Sequence, residues 1–219
     1  MNIKKIKCII LDFDGTMYSN GAWLYEIEHF IGGFLDKNNI LSECKTQEEK
    51  QTYLNKRYPQ YHIMQQIYAY LHDSGIDDSE FRKYNQNNIC EIRSTETTFI
   101  NHEIISKIAK HYNLYMISDS AVPYLEFYLD YAGIDKNNFI KILSNEYTRG
   151  DYTKIPMMKK VLQETGLKPD EIIMIGDSEK SDIVPAKLMG FQTAHIEHVS
   201  DTEKLLNKLI RFKTSNSGM

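Results

Sequence analysis

The sequence predicts an α/β fold: a Rossmann-like parallel sheet in a three-layer α/β/α core, carrying one inserted all-helical domain. Three observations predict it. An apolar run from Ile6 to Leu11 stops abruptly at Asp12-Phe13-Asp14-Gly15-Thr16, as a strand buried on both faces does where it opens into a loop at its carboxyl end. After Phe99, short apolar runs alternate with helical patterns, the signature of parallel strands joined by crossover helices. Between them, about 80 residues from Met17 to Thr98 carry amphipathic patterns and no convincing strand. The expected domains are therefore 1–16 with 99–219 for the α/β core, and 17–98 for the helical insert.

Within the insert, Trp23 to Leu35, Thr46 to Tyr58 and Tyr61 to His72 read as helices, and Ser79-Glu80-Phe81 opens a fourth. The core continues with a helix from His102 to His111, a strand Leu114 to Ile117, and a helix Val122 to Tyr131 closed by Gly133. A strand near Phe139 to Leu143 follows, then a helix Pro156 to Thr165 with Gly166 at its C-cap, and the strand Ile172 to Ile175. A short helix Ile183 to Met189, a strand near Thr193 to Ile196 and a helix Asp201 to Phe212 complete the pattern, with Lys213 to Met219 expected to fray.

Composition excludes several classes. With 219 residues, 42% hydrophobic and 26% charged, the chain is of the globular type. A net charge of -4, from 26 basic against 30 acidic residues, gives no footprint for a nucleic-acid backbone. No apolar run approaches the ~20 residues of a membrane span, and the lysines before Cys8 are followed by neither a signal-peptide core nor a cleavage site. Three scattered cysteines, Cys8, Cys44 and Cys90, form no disulfide framework or zinc motif and suit the cytoplasm.

Ligands of open α/β sheets bind outside the carboxyl ends of the strands, and three of these ends are polar. Asp12 and Asp14 follow the first strand, Ser118 and Asp119 the second, and Gly176-Asp177-Ser178-Glu179-Lys180-Ser181-Asp182 the fourth; Lys154 lies on the connection before the fourth. Carboxylates gathered this way repel unless a cation or the lysine compensates, and a hard oxygen-ligated ion such as Mg²⁺ suits them, with phosphoryl chemistry as its natural use. Ser118 also reads as a helix cap, and Ser178 and Ser181 as loop-stabilising residues. None of the seven histidines falls in the motif cluster.

In these residues the chain resembles the haloacid dehalogenase-like superfamily of Mg²⁺-dependent phosphohydrolases. Asp12-Phe13-Asp14-Gly15-Thr16 resembles its D-x-D-x-T motif, Ser118 its second-motif hydroxyl, Lys154 its third-motif lysine, and Gly176-Asp177-Ser178 through Ser181-Asp182 its G-D-S-x-x-S-D motif. Lys154 is followed by Ile155 where many relatives have proline. The insert lies where this family places a C1 cap. The resemblance implies that Asp12 is the nucleophile and that Asp14 is the acid, then the base. Asp12, the backbone carbonyl of Asp14, Asp177 and Asp182 would hold Mg²⁺. Ser118 and Lys154 would hold phosphoryl oxygens, while Thr16, Tyr18 and Asp119 are the candidate substrate-binding residues, Thr16 through the shape of its loop. Dehalogenating relatives lack an aspartate at the position of Asp14, so a small phosphorylated metabolite is the implied substrate. The run Tyr68 to Phe81, with Met17-Tyr18, is similar to caps of the pyrimidine 5'-nucleotidase branch; phosphoglycolate and sugar-phosphate phosphatases share the cap type. A phosphomutase, a receiver-type phosphoacceptor and a binding protein without turnover are the alternatives.

Overall fold

Strand β1 (Cys8–Leu11) lies at the centre of a five-stranded sheet, and all four of its residues are fully buried. The computed structural model describes residues 1–20, 31–61, 63–88, 97–144 and 152–216, without the side chains of 20, 85–88 and 216. The other strands of the sheet are β4 (Asn113–Ile117), β5 (Lys141–Leu143), β6 (Ile172–Gly176) and β7 (Gln192–His195). Their order is β5-β4-β1-β6-β7, and every pairing is parallel. A strand covered on both faces must be apolar at every position, which is why β1 and β6 read as unbroken apolar runs rather than as an alternation.

The two faces nevertheless separate by the period of 2. Cys8, Ile10, Tyr115, Ile117, Ile172 and Met174 pack with Met157, Met158 and Val161 of α7 (Ile155–Thr165) and Ala186 of α8 (Val184–Leu188). Ile9, Leu114, Met116 and Ile173 point to the opposite face. There α5 (His102–Ala109) packs against α9 (Val199–Asn216), and Tyr112 donates its hydroxyl hydrogen to the Leu209 carbonyl at 3.1 Å. From β1 the chain fills one side through β4 and β5, then crosses to β6 and β7 on the other. That reversal of winding makes the carboxyl ends of β4, β1 and β6 the crevice of the sheet.

The expected elements form with small shifts at their ends. Helix α6 runs over Val122–Tyr131 as read, and Gly166 closes α7 in the left-handed conformation at φ 62° that a C-cap glycine accepts. α9 extends to Asn216, so residues 213–216 are helical where fraying was expected, and it starts at Val199 rather than Asp201. A π-helical turn, Glu179–Ile183, precedes α8 where the sequence reads only as loop.

The chain forms two compact units, Met1–Ser19 with Thr98–Met219, and Asn20–Thr97. The second contains α1 (31–37), α2 (Gln47–Arg57), α3 (Ile63–Asp73) and α4 (Ser79–Asn88). Thr46 caps α2 with a complete capping box to Glu49, and Phe34 and Tyr68 pack against Phe81 at ring-centroid distances of 4.8 and 5.1 Å. Trp23, at the start of the first expected helix, lies outside the described residues. The reading of 17–98 as strand-free is corrected by β2 (Tyr18–Asn20) and β3 (Thr97–Phe99), which pair as a two-stranded sheet where the chain leaves and re-enters the α/β unit. Three residues are too few to show a period of 2, so neither strand is visible in the sequence. Among the described residues no helix is long and apolar enough to cross a membrane.

α9 also grips the loop that follows β1. Thr202 is fully buried and donates its hydroxyl hydrogen to the carbonyl of Thr16, also fully buried, at 2.9 Å. Thr202→Val keeps the shape but leaves that carbonyl without its donor, a loss of about 1–3 kcal/mol. Urea denaturation of the variant should show this decrease, and an unchanged midpoint would mean that the bond contributes nothing.

Candidate active site

Register brings the site together. Leu11 lies opposite both Met116 and Ile175, so the next residue, Asp12, stands level with Ile117 and Gly176. The Asp12 N–H extends the ladder to the Ile175 carbonyl at 3.0 Å, and the Ser118 N–H bonds the Leu143 carbonyl at 3.0 Å. Both residues are thus fixed by the ends of the sheet rather than by free loop.

Lys154 sits in the middle of the acids. It is 2% exposed and donates to Oδ1 of Asp12 and Oδ1 of Asp182, each at 2.7 Å, with Oδ2 of Asp119 at 4.0 Å. Burial alone would lower its pKa, but the carboxylates of Asp12, Asp182 and Asp119 raise it well above the ordinary lysine value, so it stays charged. One ammonium cannot neutralise the group. Asp12 is held well above the usual carboxylate range, first by burial and then by Asp182. Asp177 reaches solvent at its edge but is hemmed by protein atoms and by Asp182, and its pKa is pushed up to about 6.

Two glycines allow this crowding. Gly15 has φ +75°, and a Cβ there would lie 2.0 Å from Oδ2 of Asp177; a Cβ on Gly176 would lie 2.4 Å from Cγ of Asp182. The π-helical turn carries Asp182 inward to full burial, where its Oδ2 accepts the Ser178 N–H at 3.0 Å. Ser178 also accepts from the Ser181 N–H at 3.2 Å, the loop-stabilising role read from the sequence. Asp12, Asp177 and Asp182 each offer a carboxylate oxygen within 4.8 Å of the others. Oxygen donors with excess negative charge fit a hard divalent cation.

Asp14 turns away from that trio. Its Oδ2 accepts from the Ser120 hydroxyl at 2.7 Å and its Oδ1 from the Tyr124 hydroxyl at 3.0 Å. Burial raises its pKa and these two bonds oppose the rise. Ser118 is buried, and its Oγ accepts the Ser120 N–H at 3.0 Å; the N-cap of α6 is Ala121, so Ser118 does not cap that helix.

One candidate, Tyr18, is placed otherwise than expected. Tyr18 is 1% exposed, its ring packed on Phe13, Phe99 and Tyr128 at centroid distances of 5.6, 4.9 and 4.7 Å, so it has no face for a ligand. An aromatic residue flanking a polar motif on a short strand is drawn into the core by its own apolar area. Thr16 is also fully buried, and its carbonyl serves the contact with α9. Ser120, Tyr124 and His195 were not anticipated. His195, at the end of β7, donates from Nε2 to the Asp177 carbonyl at 2.7 Å, and the strand-end rule applied to the fifth strand would have pointed to it.

The family model for haloacid dehalogenase-like hydrolases matches residues 6–190. No curated protein sequence matches. Among solved structures, the chain is similar to a HAD phosphatase from Thermococcus onnurineus, at 14% identity and TM-score 0.55, with 92% of this chain and 98% of that one covered. It is similar to the HAD-hydrolase YfnB from Bacillus subtilis bound to magnesium, at 17% identity and TM-score 0.55, with 92% and 99% covered. A HAD family enzyme from Bacteroides thetaiotaomicron in complex with magnesium and inorganic phosphate is 15% identical with TM-score 0.50, with 87% and 93% covered. The structures share the fold, and the family match spans all four clustered motifs, from the strand that presents Asp12 to the turn that buries Asp182: the chain belongs to the haloacid dehalogenase-like hydrolases.

Proposed function

We propose that the protein is a Mg²⁺-dependent phosphomonoesterase acting on a small phosphate ester through an aspartyl-phosphate on Asp12. One observation carries the reading: a buried carboxylate at a strand end, held by Lys154, with Asp177 and Asp182 close enough to share a cation with it. Asp12, Asp177, Asp182 and the backbone carbonyl of Asp14 would hold Mg²⁺, which would supply positive charge for the phosphoryl oxygens. Lys154 and Ser118 hold further oxygens, and Asp119, 4.0 Å from the lysine, steadies it. Asp12 attacks phosphorus while the P–O bond to the leaving group breaks, and Asp14 protonates the departing alkoxide. Water then attacks the aspartyl-phosphate, giving its proton to Asp14 and freeing Asp12. Burial raises the Asp14 pKa, the direction that an acid role requires.

The helical unit Asn20–Thr97 serves as the cap that sets specificity, and its resemblance to nucleotidase caps favours a nucleoside 5'-monophosphate. A screen of phosphate esters with Mg²⁺ tests this. Pyrimidine monophosphates should lead, and equal rates across unrelated esters would remove the nucleotide reading.

Asp12→Asn should abolish Mg²⁺-dependent hydrolysis of p-nitrophenyl phosphate while the circular dichroism spectrum persists, since Lys154 keeps Asp182 as partner. Full residual turnover would remove Asp12 as nucleophile.

Metal binding should depend on pH with a definite sign. The folded pKa of Asp177, about 6, lies above the ordinary aspartate value of 3.8, so between the two the native state holds more protons than the unfolded chain. Metal-free stability from this group therefore falls as pH rises through that window. Mg²⁺ competes with the same protons, so it should raise Tm more at about pH 7.5 than at about pH 5. Equal shifts would place the cation elsewhere.

A further inference from the structure

We propose that Tyr124 is a positioning residue for the Asp14 carboxyl, fixing its plane so that its proton is aimed at the leaving oxygen. The inference rests on the acid and base role given to Asp14 above. A carboxyl group attached through one rotatable bond is oriented only if both of its oxygens are held. Here the Ser120 hydroxyl holds Oδ2 and the Tyr124 hydroxyl holds Oδ1. Each oxygen accepts one bond and keeps a second lone pair, so a carboxyl fixed at both ends can still carry and release a proton.

The two donors differ in rigidity. Ser120 precedes the N-cap of α6, in the same turn as Ser118. Tyr124 lies in the first turn of α6, is 4% exposed, and has its ring set edge-on to Phe13 at 6.1 Å and against Tyr128 at 4.8 Å. Phe13 is the residue between Asp12 and Asp14, so the packing that locks the tyrosine ring also locks the segment bearing both aspartates. The hydroxyl is the one polar atom of a side chain otherwise set in an aromatic core, and its bond to Asp14 spans 110 residues of sequence. A tyrosine needed for packing alone could be phenylalanine; the hydroxyl has its use at Asp14.

The test separates aiming from packing by the leaving group. Phenol, with a pKa of about 10, leaves with help from a proton, whereas p-nitrophenolate leaves with little. kcat/KM for phenyl phosphate and p-nitrophenyl phosphate is measured with Mg²⁺ on the same preparations of wild type, Tyr124→Phe, Asp14→Asn and the double variant. The ratio of the two substrates cancels any difference in active fraction. Tyr124→Phe should lose about 10-fold with phenyl phosphate and less than about 2-fold with p-nitrophenyl phosphate, the size expected of one hydrogen bond to a charged group. On the Asp14→Asn background the tyrosine change should add nothing further. Equal losses with both substrates, or a full further loss in the double variant, would make Tyr124 a packing residue and overturn the inference. If Asp14→Asn itself shows no dependence on the leaving group, the acid role of Asp14 fails first.

Discussion

The ammonium of Lys154 inside a ring of carboxylates is the interaction on which the rest of the site depends. A lysine at 2% exposure is tolerable only because Asp12 and Asp182 each meet it at 2.7 Å, and those aspartates are tolerable only because it is there. Removing one member of such a buried pair typically costs about 3–5 kcal/mol, because the other is left charged and dry. The three residues come from the end of β1, the turn before α7 and the π-helical turn after β6, so one ion pair ties three connections to the mouth of the sheet.

That network holds more carboxylates than its one ammonium can offset. Lys154 faces Asp12, Asp119 and Asp182, with Asp177 beside them, and the raised pKa values of Asp12 and Asp177 express the imbalance. A fold selected for stability alone would bury apolar side chains here. Oxygen donors with excess negative charge are instead what a hard divalent cation fits. Gly15 and Gly176 are the steric condition for it: any side chain at either would collide with the carboxylate that must approach.

Much of this was legible in the sequence. The buried strand ending at Asp12, the alternation after Phe99 and the helical insert gave the fold, because burial on both faces and crossover helices leave strong periodic signatures. The order of the motifs gave Asp12, Lys154, Asp177 and Asp182, because strand ends of a parallel sheet converge. β2 and β3 escaped because three residues carry no period, and the π-helical turn because it depends on a fit to Asp182 rather than on propensity. Tyr18 was misread for a related reason: proximity to Asp14 along the chain suggested a ligand contact, whereas its ring is absorbed by Phe13, Phe99 and Tyr128. Tyr124 escaped because its partner is 110 residues away and only the packing of α6 on Phe13 brings the two together.

Those long-range contacts divide the labour of the first loop. Its charge is set by Lys154, its backbone by Thr202 on α9 through the Thr16 carbonyl, and its second aspartate by Ser120 and Tyr124. Each fixes a different degree of freedom and each arrives from a different part of the chain. A five-residue segment between a strand and the start of the insert has too few internal bonds to hold two carboxylates in two orientations. The α/β core supplies the missing constraints from outside, so Asp12 can meet Lys154 beside Asp177 and Asp182 while Asp14, two residues on, is held by Ser120 and Tyr124. The different settings of the two aspartates are therefore a property of the whole unit rather than of the motif alone.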